Sequence, residues 1–178
     1  MINTPYSSSP SQITISYGNR HNDDLLQYFG FVEVDCAFDR YVVLDPLSVL
    51  EAELAVKTAE NSEISQIKFL KECVDQLVKE SGSEVRDSNR ASTSKFSMIM
   101  NRNEIGTWTV GALDSIKDIE TRNRCMQIII TSEIQRMNIG LENISAAIVQ
   151  PEVNPCILRT FLSEKIKVLN AASTQIGE

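Results

Sequence analysis

The longest helical periodicity in the chain lies in its second half, from about Thr121 to Val149. Large apolar residues recur there at alternating steps of four and three: Ile130, Ile134, Met137, Leu141, Ile144 and Ile148. This spacing places all of them on one face of an α-helix. A helix of that length is stabilised mainly by burying such a face against other elements, so the chain is expected to be largely helical.

Shorter stretches with the same periodicity follow Pro46, extend from Ile64 to Leu77, and extend from Leu158 to Leu169. Pro151 and Pro155 separate the long helix from the last one, because proline cannot continue a helix but can begin one. These stretches together predict an antiparallel helical bundle.

Three details of the helical part are open to a structural test. Gly140 costs about 1 kcal/mol relative to alanine inside a helix, which predicts a close packing contact or a slight bend there. A short helix is predicted over Trp108 to Ile119. The stretch from 81 to 95 has Val85 as its one large aliphatic residue and is predicted to be a mobile loop.

The first 45 residues follow a different pattern. Apolar and polar residues alternate from Ile13 to Tyr17 and β-branched residues dominate Arg40 to Leu44, and both patterns favour strands. Between them, Asn22 is predicted to cap a short helix that ends at Gly30. The predicted fold class is therefore α+β, mostly α, with a short β-containing segment over 1–45 and a helical bundle over 46–178.

Composition excludes several classes of function. The net charge of −7 argues against non-specific binding to nucleic acid and against an anionic membrane surface. It would suit a basic partner such as a lysine-rich protein segment, although solubility alone explains it as simply. Apolar runs such as Ile128 to Ile130 are far too short to cross a membrane, and the first twelve residues have no secretory signal. The expected location is cytoplasmic or nuclear, with organellar targeting left open.

The cysteines are widely separated, at Cys36, Cys73, Cys125 and Cys156, and the chain has one histidine, His21. This spacing does not match a zinc site of the usual kind, so no metal site is predicted. The cysteines lie among apolar residues, which favours reduced thiols in the core.

One stretch has a specific motif: residues 13–32 read ITISYGNRHNDDLLQYFGFV. It resembles the end of the SET domain in Rubisco large-subunit methyltransferase-like enzymes, where I-x-x/S-Y-G is followed by S-N-x-E-L-x-x-x-Y-G-F. Six residues match these two elements with the same spacing: Tyr17, Gly18, Asn22, Leu25, Gly30 and Phe31.

Two further segments extend this resemblance. CAFDRYVVL, over 36–44, is similar to the family's N-P-x-D-R/x-V segment, with Asp39 in register. Arg159, Glu164 and Lys165 are similar to the R-x-x-x-x-E-K-x-x-L pattern that closes the family's helical lobe; the leucine position of that pattern is Val168 here, and Leu169 follows it. The resemblance implies that 1–45 is the end of a SET domain and that 46–178 is a substrate-binding lobe.

The resemblance implies that Tyr17 is the catalytic tyrosine of a protein-lysine N-methyltransferase. It also implies S-adenosylmethionine as cofactor, with Phe29, Gly30 and Phe31 lining its site and Asn22 fixing the helix against it. The acceptor amine must be neutral, although free lysine has a pKa of about 10.4. A rigid phenol can hold the lone pair of that amine in line with the methyl group.

The chain departs from the family pattern in two places. Phe29 occupies the position of the family's second tyrosine, and Tyr28 lies one residue earlier, which rotates its side chain by about 100°. The family's N-H-x-x-x-P segment, which grips the cofactor, is absent from the 178 residues, where His21 follows Arg20. The predicted consequence is an incomplete cofactor site and a polypeptide that is inactive alone.

Two alternatives stand beside the methyltransferase hypothesis. The chain could be a non-catalytic helical interaction module with a vestigial SET segment, or an unrelated helical protein with a chance motif. Without the motif, Tyr17 would be a packing residue, Phe29 and Phe31 would be core aromatics, and His21 would face solvent. Asp23 and Asp24 would be simple helix-start charges. The sequence leaves open the substrate protein, a lysine or histidine acceptor, the number of methyl groups and the oligomeric state.

Overall fold

The computed structural model describes residues 16–82, 97–102, 109–110, 113, 116–146 and 154–177. These residues form the following helices and strands in chain order: α1 Asn22–Phe29, β1 Arg40–Val43, α2 Pro46–Ala59, α3 Ile64–Gly82, β2 Met98–Asn101, β3 Thr109–Val110, α4 Ile119–Ala146 and α5 Pro155–Gly177. The predicted fold class, α+β and mostly α, is confirmed.

Helices α4 and α5 form an antiparallel pair. Near one end of the pair, a Cβ atom added at Gly140 would lie 3.4 Å from Cδ1 of Leu162. Near the other end, Nε2 of Gln127 donates to the carbonyl of Ser173 at 2.7 Å. Gly140 therefore packs against Leu162 as predicted, at a distance that leaves room for a methyl group but not for a larger side chain.

Helices α2 and α3 form a second pair on the same core. Asp45 caps α2, since its carboxylate accepts a hydrogen bond from the backbone N–H of Ser48 at 3.2 Å. Leu50 and Leu70 face inward and are at most 3% exposed. Ile64 was expected on the same buried face, but it is 83% exposed because it is the first residue of α3.

The three strands form one antiparallel sheet in the order β1-β2-β3. Tyr41 pairs with Met100 and Val43 pairs with Met98, and all four side chains are buried against the helices. A strand from the first 45 residues is thus paired with a strand that follows α3. The predicted boundary between a segment over 1–45 and a lobe over 46–178 is crossed by the backbone hydrogen bonds between β1 and β2. That division into two parts stays a prediction.

Two local predictions differ from the structure. The segment Trp108 to Ile119 was expected to be helical, but Thr109 and Val110 form β3 and the next helix begins only at Ile119. The β-branched side chains of Thr109 and Val110 suit a strand better than a helix. Of the strand expected over Ile13 to Tyr17, residues 13–15 lie outside the described residues, and 16 and 17 are in neither a helix nor a strand.

Two other predictions are settled in part. Most of the loop predicted over 81–95 lies outside the described residues, and its first two residues belong to the end of α3. Cys36, Cys73 and Cys125 are buried as expected, but Cys156 is exposed near the start of α5. That exposure contradicts the expectation of a fourth core cysteine.

Candidate functional site

Helix α1 ends in the way that its sequence predicts. Gly30 adopts a left-handed conformation, with φ of 74°, and its N–H donates to the carbonyl of Leu26 at 3.2 Å. A residue with a side chain is strained in this conformation, so glycine suits the position. The reversal at Gly30 places Phe29 and Phe31 on either side of the helix end.

The aromatic rings of Tyr17, Phe29 and Phe31 form one cluster. The ring centroid of Tyr17 lies 4.6 Å from that of Phe29 and 5.3 Å from that of Phe31. The two phenylalanine centroids are 6.3 Å apart. The structure therefore brings together the three aromatic residues that the resemblance assigns to one site, whereas Tyr28 is 66% exposed on the preceding position of α1.

Arg20 fixes the turn that carries Tyr17. Its Nε donates to the carbonyl of Tyr17 at 3.1 Å, and its guanidinium lies over the ring of Phe29, 5.8 Å from the centroid. Gly18, with φ of 74°, provides the turn between Tyr17 and Arg20. No sequence pattern had marked Arg20 as part of the site.

A groove of about 540 Å³ opens beside the cluster. Its aromatic lining comes from Tyr17, Phe31 and Phe38, and its carboxylates come from Glu33 and Asp35. Aromatic faces and carboxylates both attract cations, so the groove suits a positively charged group on an apolar body. The sulfonium end of S-adenosylmethionine is such a group. Of the residues that the resemblance assigns to the cofactor, Phe31 lines this groove, whereas Phe29 and Gly30 do not.

Asn22 is the residue that joins α1 to the segment after it. Its side chain is fully buried: Nδ2 donates to Asp39 Oδ2 at 2.9 Å and to the carbonyl of Glu33 at 3.1 Å, while Oδ1 accepts from the N–H of Glu33 at 2.8 Å. The prediction that Asn22 caps the helix is wrong. His21 occupies the cap position without a side-chain bond to the helix, and Asn22 instead clamps two other segments.

His21 was expected to face solvent, and it does so in part. The residue is half-buried, and Nδ1 lies within hydrogen-bond distance of the carbonyl oxygen of Phe38. Because Phe38 lines the groove, His21 helps to fix one of its walls.

Lys165 of α5 forms a buried ion pair beneath this region. Its Nζ lies 2.8 Å from Asp39 Oδ1 and also contacts the carboxylate of Asp23 and the carbonyl of Arg40. The side chain of Lys165 is 2% exposed and that of Asp39 is fully buried. Asp23 is therefore more than a charge at the start of α1, because it shares this ammonium.

Glu164, the neighbour of Lys165, holds the turn below the groove. Its Oε2 accepts from the backbone N–H of Asp35 and from Nη1 of Arg102, both at 2.9 Å. Lys167 and Arg102 both contact the carboxylate of Asp35, and these hydrogen bonds lower the pKa of that carboxyl. Asp35 thus keeps its negative charge at the groove.

The two contacts of α5 connect the stretches that carry the resemblance. Asp39 and Asp35 lie in the early segment, and Lys165 and Glu164 belong to the pattern near the end of the chain. In sequence, 126 positions separate Lys165 from Asp39. The candidate site is consequently built on α5 as well as on α1.

No protein-family model, no curated protein and no solved structure matches the chain. Within the ranges that the structure describes, no helix has the length and hydrophobicity that crossing a membrane requires.

Proposed function

We propose that the chain supplies the catalytic-tyrosine segment and the helical substrate-binding lobe of an S-adenosylmethionine-dependent protein-lysine N-methyltransferase. In this proposal Tyr17 is the catalytic residue, Phe29, Gly30 and Phe31 line the cofactor site, and the protein substrate presents a lysine. The polypeptide alone is inactive, because the 178 residues lack the N-H-x-x-x-P segment.

The observation that carries the proposal is the buried ion pair between Lys165 and Asp39, 2.8 Å apart. The two residues were matched independently to two patterns of the same enzyme family, one near each end of the chain. A buried lysine needs an acidic partner in any fold, and here that partner is the aspartate matched to the same family. Buried charges are tolerated only when paired and hydrogen-bonded, so the two matches explain each other.

The groove supplies a second line of support. An ammonium group is attracted to the carboxylate of Glu33, and an apolar lysine stem can lie against the rings of Tyr17 and Phe31. The carboxylate of Asp35 is already paired with Arg102 and Lys167. The cofactor would supply the methyl group. The chain's own contribution is to orient the acceptor amine: the phenol of Tyr17, held by the packing of its ring, fixes the direction of the lone pair.

Tyr17→Phe tests the catalytic assignment, and Tyr28→Phe is the matched control. Both variants remove one phenol oxygen, but the Tyr17 ring packs on Phe29 and Phe31 and is 41% exposed, whereas Tyr28 is 66% exposed. The protein is expressed from its own gene with any coding sequence that lies upstream in frame, and methyl transfer from labelled cofactor to cell protein is measured. Tyr17→Phe is expected to lower the rate by about 100-fold or more, and Tyr28→Phe to leave it within about threefold. Equal rates in the two variants would refute the role of Tyr17.

A titration of the 178-residue chain with S-adenosylmethionine tests its predicted inactivity. We expect no binding at micromolar concentrations, and micromolar affinity or better would contradict the prediction.

One observation favours the second candidate function, a non-catalytic interaction module. Phe29 lacks the hydroxyl of the family's second tyrosine, and the Arg20 guanidinium lies 5.8 Å from its ring centroid. A stop codon directly upstream of Met1, with no methyl transfer, would support that module.

A further inference from the structure

Two buried thiols meet between helices that carry none of the proposed site. Cys73 of α3 is 1% exposed, Cys125 of α4 is fully buried, and both are free. Their Sγ atoms are 2.8 Å apart. We propose that this pair is an oxidation site, at which a peroxide converts the two thiols into a disulfide that joins α3 to α4.

The geometry makes the bond accessible without refolding. A disulfide has a sulfur–sulfur distance of about 2.04 Å, so the two Sγ atoms must approach by less than about 1 Å. Rotation of the two side chains can supply a displacement of that size. Cys36 is in a different situation, since its thiol donates to the carbonyl of Arg20 at 3.4 Å.

The two thiols are not chemically equivalent. Cys125 donates its S–H to Cys73, and this hydrogen bond lowers the pKa of Cys73 below its ordinary value. Burial and the Glu72 carboxylate oppose this shift, and the Arg124 guanidinium adds to it, so that the pKa is lowered on balance. The same hydrogen bond and burial raise the pKa of Cys125. Cys73 is accordingly the nucleophile, because the thiolate is the reactive form of cysteine.

A groove brings a small oxidant to within about one helical turn of the pair, although neither thiol lines it. It has a volume of about 150 Å³ and is lined on the α3 side by Phe69 and Leu70 and on the α4 side by Arg124 and Ile128. Phe69 precedes Cys73 by one helical turn, and Ile128 follows Cys125 by about one turn. A space of this volume admits molecules of the size of water, and hydrogen peroxide is only slightly larger.

The reaction balances with hydrogen peroxide as oxidant. The Cys73 thiolate attacks one peroxide oxygen, the O–O bond breaks, and the departing hydroxide takes a proton to form water. Cys73 is then a sulfenic acid. The Cys125 sulfur loses its proton and attacks the Cys73 sulfur, which displaces a second water and forms the disulfide. In total, two thiols lose two electrons and two protons, and one peroxide becomes two waters.

Peptide mapping of the full chain before and after peroxide treatment tests the proposal. The reduced protein is treated with dilute hydrogen peroxide, unfolded, alkylated and digested without reductant. We expect two of the four thiols to escape alkylation and one linked peptide pair, Cys73 with Cys125. The link closes a loop between residues 52 positions apart, so the thermal midpoint is expected to rise by about 10 °C, reversibly with dithiothreitol.

Cys156→Ser is the matched control, because Cys156 is exposed on α5 and outside the pair. This variant should form the same linked peptide and show the same thermal shift, whereas Cys73→Ala should show neither. If Cys73→Ala folds poorly, peptide mapping of the unsubstituted chain still tests the proposal. Four alkylated cysteines after treatment would overturn the proposal, as would a link that includes Cys36 or Cys156.

Discussion

Replacing Lys165 by methionine removes the central cation of the ion pair between α5 and the early segment. Methionine has nearly the same length and volume, so packing against Phe161 is largely kept, although the ammonium now 5.0 Å from that ring is lost. The fully buried carboxylate of Asp39 stays. Its remaining partners are the N–H groups of Asn22 and Arg40 and the Asn22 amide.

The expected loss of stability follows from the burial of both partners. Removing one member of a buried ion pair typically costs about 3–5 kcal/mol, because the other charge is left uncompensated. The three retained hydrogen bonds to Asp39 favour the lower end of that range. A chain of this length loses about 2–4 °C of thermal midpoint per kcal/mol, which predicts a fall of roughly 6–12 °C.

Urea unfolding followed by circular dichroism measures this loss, with Lys68→Met as the matched control. Lys68→Met makes the same substitution at the surface, where the lysine pairs with Glu72 and its side chain is 75% exposed. Such pairs contribute less than about 1 kcal/mol. The double variant Lys165→Met with Asp39→Asn should recover part of the loss. If Lys165→Met is as stable as Lys68→Met, the ion pair does not connect the two segments in the way proposed.

Two further predictions concern the rest of the fold. Gly140→Ala should raise the free energy of unfolding by up to about 1 kcal/mol, because the new Cβ meets Leu162 at an ordinary contact distance of 3.4 Å. Gly140→Leu should lower it by about 1–3 kcal/mol, because the larger side chain separates α4 from α5. Equal urea midpoints for the two variants would contradict this packing. Burial, and then the hydrogen bond with Glu133, raise the pKa of Tyr41 to about 12, from about 10 in an unfolded chain. The neutral phenol therefore stabilises the fold below about pH 10, and this contribution is lost as the pH rises towards 12. In urea unfolding between pH 8 and 11, Tyr41→Phe should show a smaller alkaline loss than the parent chain, and parallel curves would contradict the sign.

Helical periodicity and turn residues in the sequence predicted the elements that depend on neighbouring residues. The α4 helix was expected from about Thr121 and begins at Ile119, and Gly30 ends α1 as expected. Strand β2 was not predicted, since it contains two methionines and a single β-branched residue, Ile99. Methionine favours helices, so the pairing of β2 with β1 depends on tertiary contacts rather than on local preference.

The polar contacts of the site could not be predicted by periodicity, because their partners lie far apart in sequence. Lys165 did give a signal: it falls on the buried face of α5 with Leu169, and a lysine on such a face requires an acidic partner. The sequence did not show that Asp39 and Asp23 would be those partners. The cysteine pair gave no signal, since 52 positions separate its members.

The attachment of the early segment to α5 sets an order of events during synthesis. A ribosome adds about 5–20 residues per second, so the 126 positions between Asp39 and Lys165 correspond to roughly 6–25 s of elongation. Throughout that interval, Asp23 and Asp39 emerge without the Lys165 ammonium that they share in the finished protein. The carboxylates of the early segment must therefore stay hydrated until Lys165 in α5 has left the exit tunnel.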